Sequence, residues 1–394
     1  MKYLFLLGLS VWSVHAWASD IPDTYWNHPD VGARIHGDTA LERNLRPEAC
    51  AQCHVTQFKA WKGSRHARAY SPGMVGQFAS MGHAAGNDCL VCHAPLKHEA
   101  YANRKDLLAS LSLLNQHPIG FDAKANMDAP AATLPLRHAG VTCAVCHIRD
   151  GKRFGPPRRG SDVVGQLNGA AHDGFIAKRG FESSSFCASC HQFPQSYAIQ
   201  GKPLENTLHE WKQSQFAQQG VSCQSCHMMN REHLFRGVHD ADMVRSGLTF
   251  STMKHDKSIT LSMASTHIGH AFPTYVTPKV DIHAKAFDAQ GHVLQTWQWS
   301  LIREVYYDDG WKEKRDTRLQ SGETRLFVAD ALHDDVVRVR FEVDVIPDYY
   351  YQGVYRSLLQ DMNHKSDAQM LLKRALDDAK SNDYRLYEVT VQRR

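Results

Sequence analysis

The chain holds ten cysteines, and all of them fall into five pairs of one spacing: Cys50/Cys53, Cys89/Cys92, Cys143/Cys146, Cys187/Cys190 and Cys223/Cys226. A histidine follows each pair directly: His54, His93, His147, His191 and His227. An even cysteine count suits disulfides in an exported chain, but disulfides explain neither the equal gaps nor the trailing histidines. Paired C-x-x-C also suits zinc ribbons, which take four ligands per metal. Five pairs would leave one pair over and the histidines without a use. C-x-x-C-H is the attachment motif of covalent haem c. Its two thioethers hold the porphyrin edge, and the next imidazole reaches the iron. The sequence therefore predicts five covalently attached haem c groups and their iron, with the ten cysteines as thioether donors and the five histidines as proximal ligands.

The sixth ligand decides what such an iron does. A haem with two axial imidazoles passes electrons, whereas an open position binds a ligand. The chain has 24 histidines, and eight are candidates for the distal position: His66, His83, His138, His209, His233, His239, His267 and His270. Along a straight helix His54 and His66 would lie roughly 18 Å apart, but two nitrogens on one iron are only about 4 Å apart. His66 is thus expected to serve a neighbouring haem. His83 and His138 precede the second and third attachment segments, and His233 and His239 follow the fifth. His267 and His270 sit in THIGHAFPTY, beyond all five. Of the remaining histidines, His98 and His172 rank next.

One stretch repeats. LHEWKQSQFAQ at 208–218 echoes FKAWKGSRHAR at 58–68, matching Trp211 to Trp61 and Ser214 to Ser64. Phe216 then stands where His66 stands in the first copy, and it cannot ligate iron. Either His209 substitutes, or one haem near the fourth and fifth segments lacks a sixth ligand.

The elements that must position these residues change character along the chain. From 19 to 250 the attachment segments are dense, so short helices and loops are expected, with porphyrins forming much of the core. The basic loop GKRFGPPRRGSD at 151–162 reads as solvated surface. From 251 to 394 cysteine is absent and strand patterns dominate. VRVRFEVDV alternates strictly, with Val337, Val339, Phe341, Val343 and Val345 on one face. VDIHAKAFDAQGHVLQTWQW reads as a hairpin turning at Asp288–His292, and ITLSMAS, TRLFVAD and YRLYEVTVQ add strands. One helix interrupts them, opened by a Ser366/Gln369 capping pattern. Trp297, Trp299 and the tyrosines at 349–351 read as packing residues. The fold class expected is α+β: a mainly α, loop-rich multihaem unit followed by a small β-sandwich-like unit with an added helix.

Residues 1–18 read as a secretory signal peptide: Lys2, an apolar run, then Ala16-Trp17-Ala18 as a cleavage site. The apolar run is too short to span a bilayer, so a periplasmic or secreted protein is expected, with the cell surface as a further destination. Lys and Arg total 45 against 41 Asp and Glu, a net charge of +4. That balance names no nucleic-acid partner.

CAQCHVTQFKAWKGSRHARA resembles the start of the multihaem cytochrome c family typified by cytochrome c-554. There, too, an attachment motif runs into W-x-x-S/T-x-H-A. GVTCAVCH and GVSCQSCH resemble the family's G-V-x-C-x-x-C-H. The resemblance implies that His66 is a distal ligand to another haem. Two departures are visible: Phe216 at a ligand position, and a fifth haem where the small cytochrome has four. The C-x-x-C-K site of pentahaem nitrite reductases is absent. The function expected is electron transfer in an anaerobic or respiratory chain, with no catalytic residue. Its redox partners would be a quinol oxidase-type membrane cytochrome or an outer-membrane or periplasmic acceptor. The alternative is a reductase or oxidase of a small nitrogen or sulfur compound at one five-coordinate haem.

Overall fold

The computed structural model describes residues 29–117, 134–159, 171–362 and 365–393. The signal peptide and the end of the 151–162 loop lie outside them. Short helices separated by loops make up the first part, and two antiparallel sheets make up most of the second.

The attachment segments are helical for a reason of spacing. On a helix, residues i, i+3 and i+4 share one face, so C-x-x-C-H turns both sulfurs and the imidazole the same way. Four segments form or end such helices: His83–His93, Cys143–His147, Ser184–His191 and Cys223–His227. In the first segment the Pro47–Cys50 helix stops at Cys50, and His54 caps the next helix, Val55–Gly63. Its backbone N–H still donates to the Cys50 carbonyl at 2.8 Å.

The repeated stretch is a repeated structure. Trp61 Nε1 donates to the Val141 carbonyl at 2.8 Å, and Trp211 Nε1 donates to the Val221 carbonyl at 3.0 Å. Each valine stands two residues before an attachment cysteine. The valine N–H groups donate back to His66 and to Phe216, at 2.9 Å in both copies. Each indole therefore ties a W-x-x-S helix to the next G-V-x-C turn.

The β-region has two layers. One sheet orders Thr324–Ala329, Ser258–Ser265 and Leu248–His255. The other orders Tyr384–Gln392, Arg338–Ile346, Lys279–Phe287 and Val293–Leu301. Val339, Phe341, Val343 and Val345 are fully buried, as the alternation predicts. They share one core with Ile259, Leu261 and Met263 of the other sheet. At about 1.5–3 kcal/mol per buried side chain, this core needs no cofactor. The Asp288–His292 turn closes as expected, the Asp288 N–H donating to the His292 carbonyl at 3.1 Å.

One expectation is corrected. The helix placed on the β-layer within 251–394 packs elsewhere. Asp367–Ser381 is capped by Ser366, whose side chain accepts from the Gln369 N–H; the Gln369 amide turns to the Met362 carbonyl instead. With Tyr349–Gln360, it joins the hydrophobic core built by Pro72–Met81 and Arg104–Gln116, where Leu371 packs with Tyr70, Phe78 and Leu107. The cause lies in two glycines. A Cβ on Gly76 would stand 2.9 Å from Leu372, and one on Gly73 would collide with the Tyr355 hydroxyl. Only glycine admits this close approach. The tyrosine run at 349–351 opens the first of these two helices.

Candidate functional site

All ten attachment cysteines and all five following histidines line one cavity of about 2640 Å³. That is several times the ~300–1,000 Å³ of an ordinary small-molecule pocket. None of the ten cysteines is in a disulfide, and among the described residues no cluster of three or more His, Cys, Asp or Glu forms a metal site. Neither alternative reading of the cysteines finds a counterpart in the structure.

The histidines pair across this cavity. His54 faces His172 with ring centres 6.4 Å apart, and His66 faces His191 at 6.2 Å. His147 faces His233 at 6.1 Å, and His227 faces His270 at 6.3 Å. Two imidazoles bound to one metal put their ring centres about 6.2 Å apart, allowing ~2.0 Å for each metal–nitrogen bond and ~1.1 Å from nitrogen to ring centre. Four pairs with that separation, in a cavity lined by every attachment cysteine, fit a ligand set for metal between facing rings.

The outer ring nitrogens are held as metal-binding imidazoles require. His93 Nδ1 is 2.8 Å from the Ala69 carbonyl, His147 Nδ1 is 2.7 Å from Phe154, and His227 Nδ1 is 2.5 Å from Arg236. On the facing side, His233 Nδ1 meets the Arg231 carbonyl at 3.0 Å and His270 Nδ1 meets Ala271 at 2.9 Å. Each bond leaves Nε2 for a metal. His191 differs, since its Nδ1 meets the Tyr275 hydroxyl at 2.5 Å. Burial pushes His66 down to about 3, and His147, His191 and His270 to about 4. All four are neutral donors at neutral pH.

The structure sorts the candidates as follows. It brings His66, His233 and His270 opposite attachment-segment histidines. His83 opens the helix that ends in His93, about 15 Å away along its axis, and faces no such ring. His138 is buried against Tyr70 with both nitrogens unpartnered. His209 is exposed and bonded to Gln213, His239 is paired with Asp348, and His267 is exposed beside Thr266. His172, ranked below the eight, takes a place opposite His54. The expectation for Phe216 is also corrected. Its ring packs on Gly269, and the adjacent His270 supplies the imidazole that Phe216 cannot. Glu210 fixes that loop, accepting from the Ala271 N–H at 3.2 Å while pairing with buried Arg318 at 3.0 Å. Among the described residues, the segment whose histidine has no facing imidazole is the second, at His93.

The cysteines show which segments adjoin. Cys50 is in hydrogen-bonding contact with Cys143, Cys92 with Cys190, and Cys187 with Cys223. Cys146 acts electrostatically on both Cys187 and Cys190. The first segment thus adjoins the third, and the fourth adjoins the second, third and fifth.

The sequence family described as cytochrome c554 and c-prime matches residues 49–112. The crystal structure of a penta-heme cytochrome c552 from Thermochromatium tepidum is similar over 89% of this chain and 99% of that one, with a TM-score of 0.60 and 20% identity. Two β-glucuronidase structures from Bacteroides uniformis share 16% identity over 26% of this chain and 11% of theirs, with TM-scores of 0.14 and 0.13, too low to bear on the fold. No curated protein matches. No helix among the described residues is long and apolar enough to cross a membrane. With five C-x-x-C-H segments around one cavity, a cytochrome c554 match on the first two, and a whole-chain likeness to a penta-heme cytochrome, the chain belongs to the multihaem c-type cytochromes.

Proposed function

We propose that the chain binds five haem c groups and passes electrons among them. Four would sit between His54 and His172, His191 and His66, His147 and His233, and His227 and His270. The fifth would be held by Cys89, Cys92 and His93. When bound, the group supplies one-electron iron chemistry; the polypeptide supplies ligands, enclosure and spacing. The observation that carries this reading is the set of four imidazole pairs at 6.1–6.4 Å. The contacts between cysteines of different segments support closely packed groups, with the fourth segment as a junction. Export behind a cleaved signal peptide at 1–18 belongs to this proposal, because haem c is attached outside the cytoplasm. So do periplasmic or cell-surface redox partners of the two kinds expected from the sequence. Protein purified from a host competent in cytochrome maturation is expected to be coloured and to weigh the mature polypeptide plus five haems. A colourless product of bare polypeptide mass would end the proposal.

Tyr275 offers a finer test. Its hydroxyl accepts from His191 Nδ1, which enriches the ring in electrons and favours oxidised iron. Tyr275→Phe removes the acceptor and is expected to raise one reduction potential. A net bond of about 0.5–1.5 kcal/mol corresponds to roughly 20–60 mV for one electron. Spectroelectrochemistry would read the shift.

A second reading has its own observation. His93 faces no imidazole among the described residues, so one haem would keep an open position. That supports reduction or oxidation of a small nitrogen or sulfur compound there, at the second segment rather than near Phe216. Electron paramagnetic resonance of the oxidised protein is expected to show one high-spin iron in five. A wholly low-spin spectrum removes this reading and leaves the relay.

A further inference from the structure

Beside the second attachment segment lies a polar wall that no histidine pair uses. Arg65 and Arg68 line the cavity there. Both are half-buried, and neither makes a side-chain hydrogen bond or an ion pair within 4.0 Å among the described residues. Arg68 Nε is fully buried without a partner. Asp348 and Asp378 act electrostatically on Arg65, yet each stands beyond ion-pair distance. Asp348 is already engaged: His239 Nε2 lies 3.0 and 3.1 Å from its two oxygens, and Asn382 Nδ2 donates at 2.8 Å. Burial pushes the Asp378 carboxyl up, which weakens it as a counter-ion. A guanidinium withdrawn from water without a partner is costly. Two of them side by side repel each other as well, so this wall is arranged for an anion that is not part of the polypeptide.

Tyr351 extends the wall. Its ring stacks on Tyr355 with centres 5.7 Å apart, and both rings line the cavity. Cys89 and Asp348 both act on its phenol, which places Tyr351 between the second segment and the His239–Asp348 pair.

We infer that Arg65, Arg68, Tyr351 and the His239–Asp348 pair form a pocket for a small oxyanion beside His93. The inference rests on the second reading above and names its ligand class. Guanidinium groups present paired N–H donors that match two oxygens of a planar or pyramidal oxyanion, and the Tyr351 hydroxyl adds a donor. Asp348 holds one ring nitrogen of His239 as N–H, leaving the other as a proton acceptor. A haem propionate has the same anionic chemistry, but it gives no use to a phenol or to a histidine fixed by a carboxylate.

The test uses the five-haem protein. Nitrite, then sulfite, is titrated while the high-spin resonance and the optical spectrum are followed, with nitric oxide as an uncharged control. Nitrite or sulfite is expected to perturb the high-spin iron. Arg65→Gln and Arg68→Gln should weaken that response by about tenfold or more and leave nitric oxide binding unchanged, while Arg65→Lys retains part of it. Retention of five haems checks folding in each variant. If nitric oxide binds but neither oxyanion does, the pocket is wrong and the open position stands. If the glutamine variants shift the resting spectrum or potentials but not oxyanion affinity, the arginines hold a propionate and the inference is overturned. If there is neither a high-spin signal nor nitric oxide binding, the second reading fails and takes this one with it.

Discussion

Replacing His270 with alanine is expected to create a second high-spin iron and to free the β-region from the haem cradle. His270 is the single facing imidazole contributed from beyond residue 250, and its ring lies 6.3 Å from His227 with the planes 13° apart. The loop that carries it is held by Glu210, which bonds the Ala271 N–H and buried Arg318 together. Little else can take its place, because Phe216 fills the equivalent position in the repeated helix. His270→Ala should therefore double the high-spin fraction seen by electron paramagnetic resonance and speed protease cleavage between the attachment segments and the sheets. His267→Ala, three residues away and exposed, should change neither. An unaltered spin state in His270→Ala would remove the His227–His270 pairing.

Arg303→Met is expected to lower stability by about 3–5 kcal/mol, the range for breaking a buried ion pair by removing one partner. Arg303 is wholly buried. Its guanidinium pairs with Glu313 at 2.7 Å and donates to the carbonyls of Lys202, Pro203 and Leu204. It thereby joins the Arg303–Tyr307 strand to the segment that follows the fourth attachment site. Methionine keeps much of the volume but leaves three buried carbonyls without their donor. Glu313 retains Lys202, at 3.2 Å, which keeps the loss at the scale of one pair. The denaturant midpoint followed by far-ultraviolet circular dichroism would measure it, and an unchanged midpoint would show that the guanidinium is dispensable.

The parts of this molecule that were legible in its sequence are those set by local spacing. C-x-x-C-H is a five-residue pattern, and a helical turn alone brings its members to one face. The strands around Val339–Val345 and the Asp288–His292 turn follow from alternation and one glycine. The length of the Val55–Gly63 helix sufficed to keep His66 from its own segment. The opposite numbers of the attachment histidines were another matter. His172 lies 118 positions from His54, in AAHDG, with nothing local to mark it. His270 was one of two histidines in THIGHAFPTY, and only the packing of Phe216 on Gly269 chooses between them. The docking of Asp367–Ser381 was hidden for a similar reason. Its apolar stripe shows that it must bury one face but not where, and the answer lies in two glycines nearly three hundred residues upstream.

The tryptophan-to-valine bond seen in both copies of the repeat has a consequence for how such a molecule changes over time. The indole and the turn it grips preserve the shape of the unit without help from the side chain at His66 or Phe216. That position was thus free to lose its imidazole while the scaffold stayed intact, provided a donor arrived from outside the unit. A loop at the edge of the sheets provides one here. Acquiring an extra layer of polypeptide and surrendering an older ligand are, on this view, two halves of a single exchange.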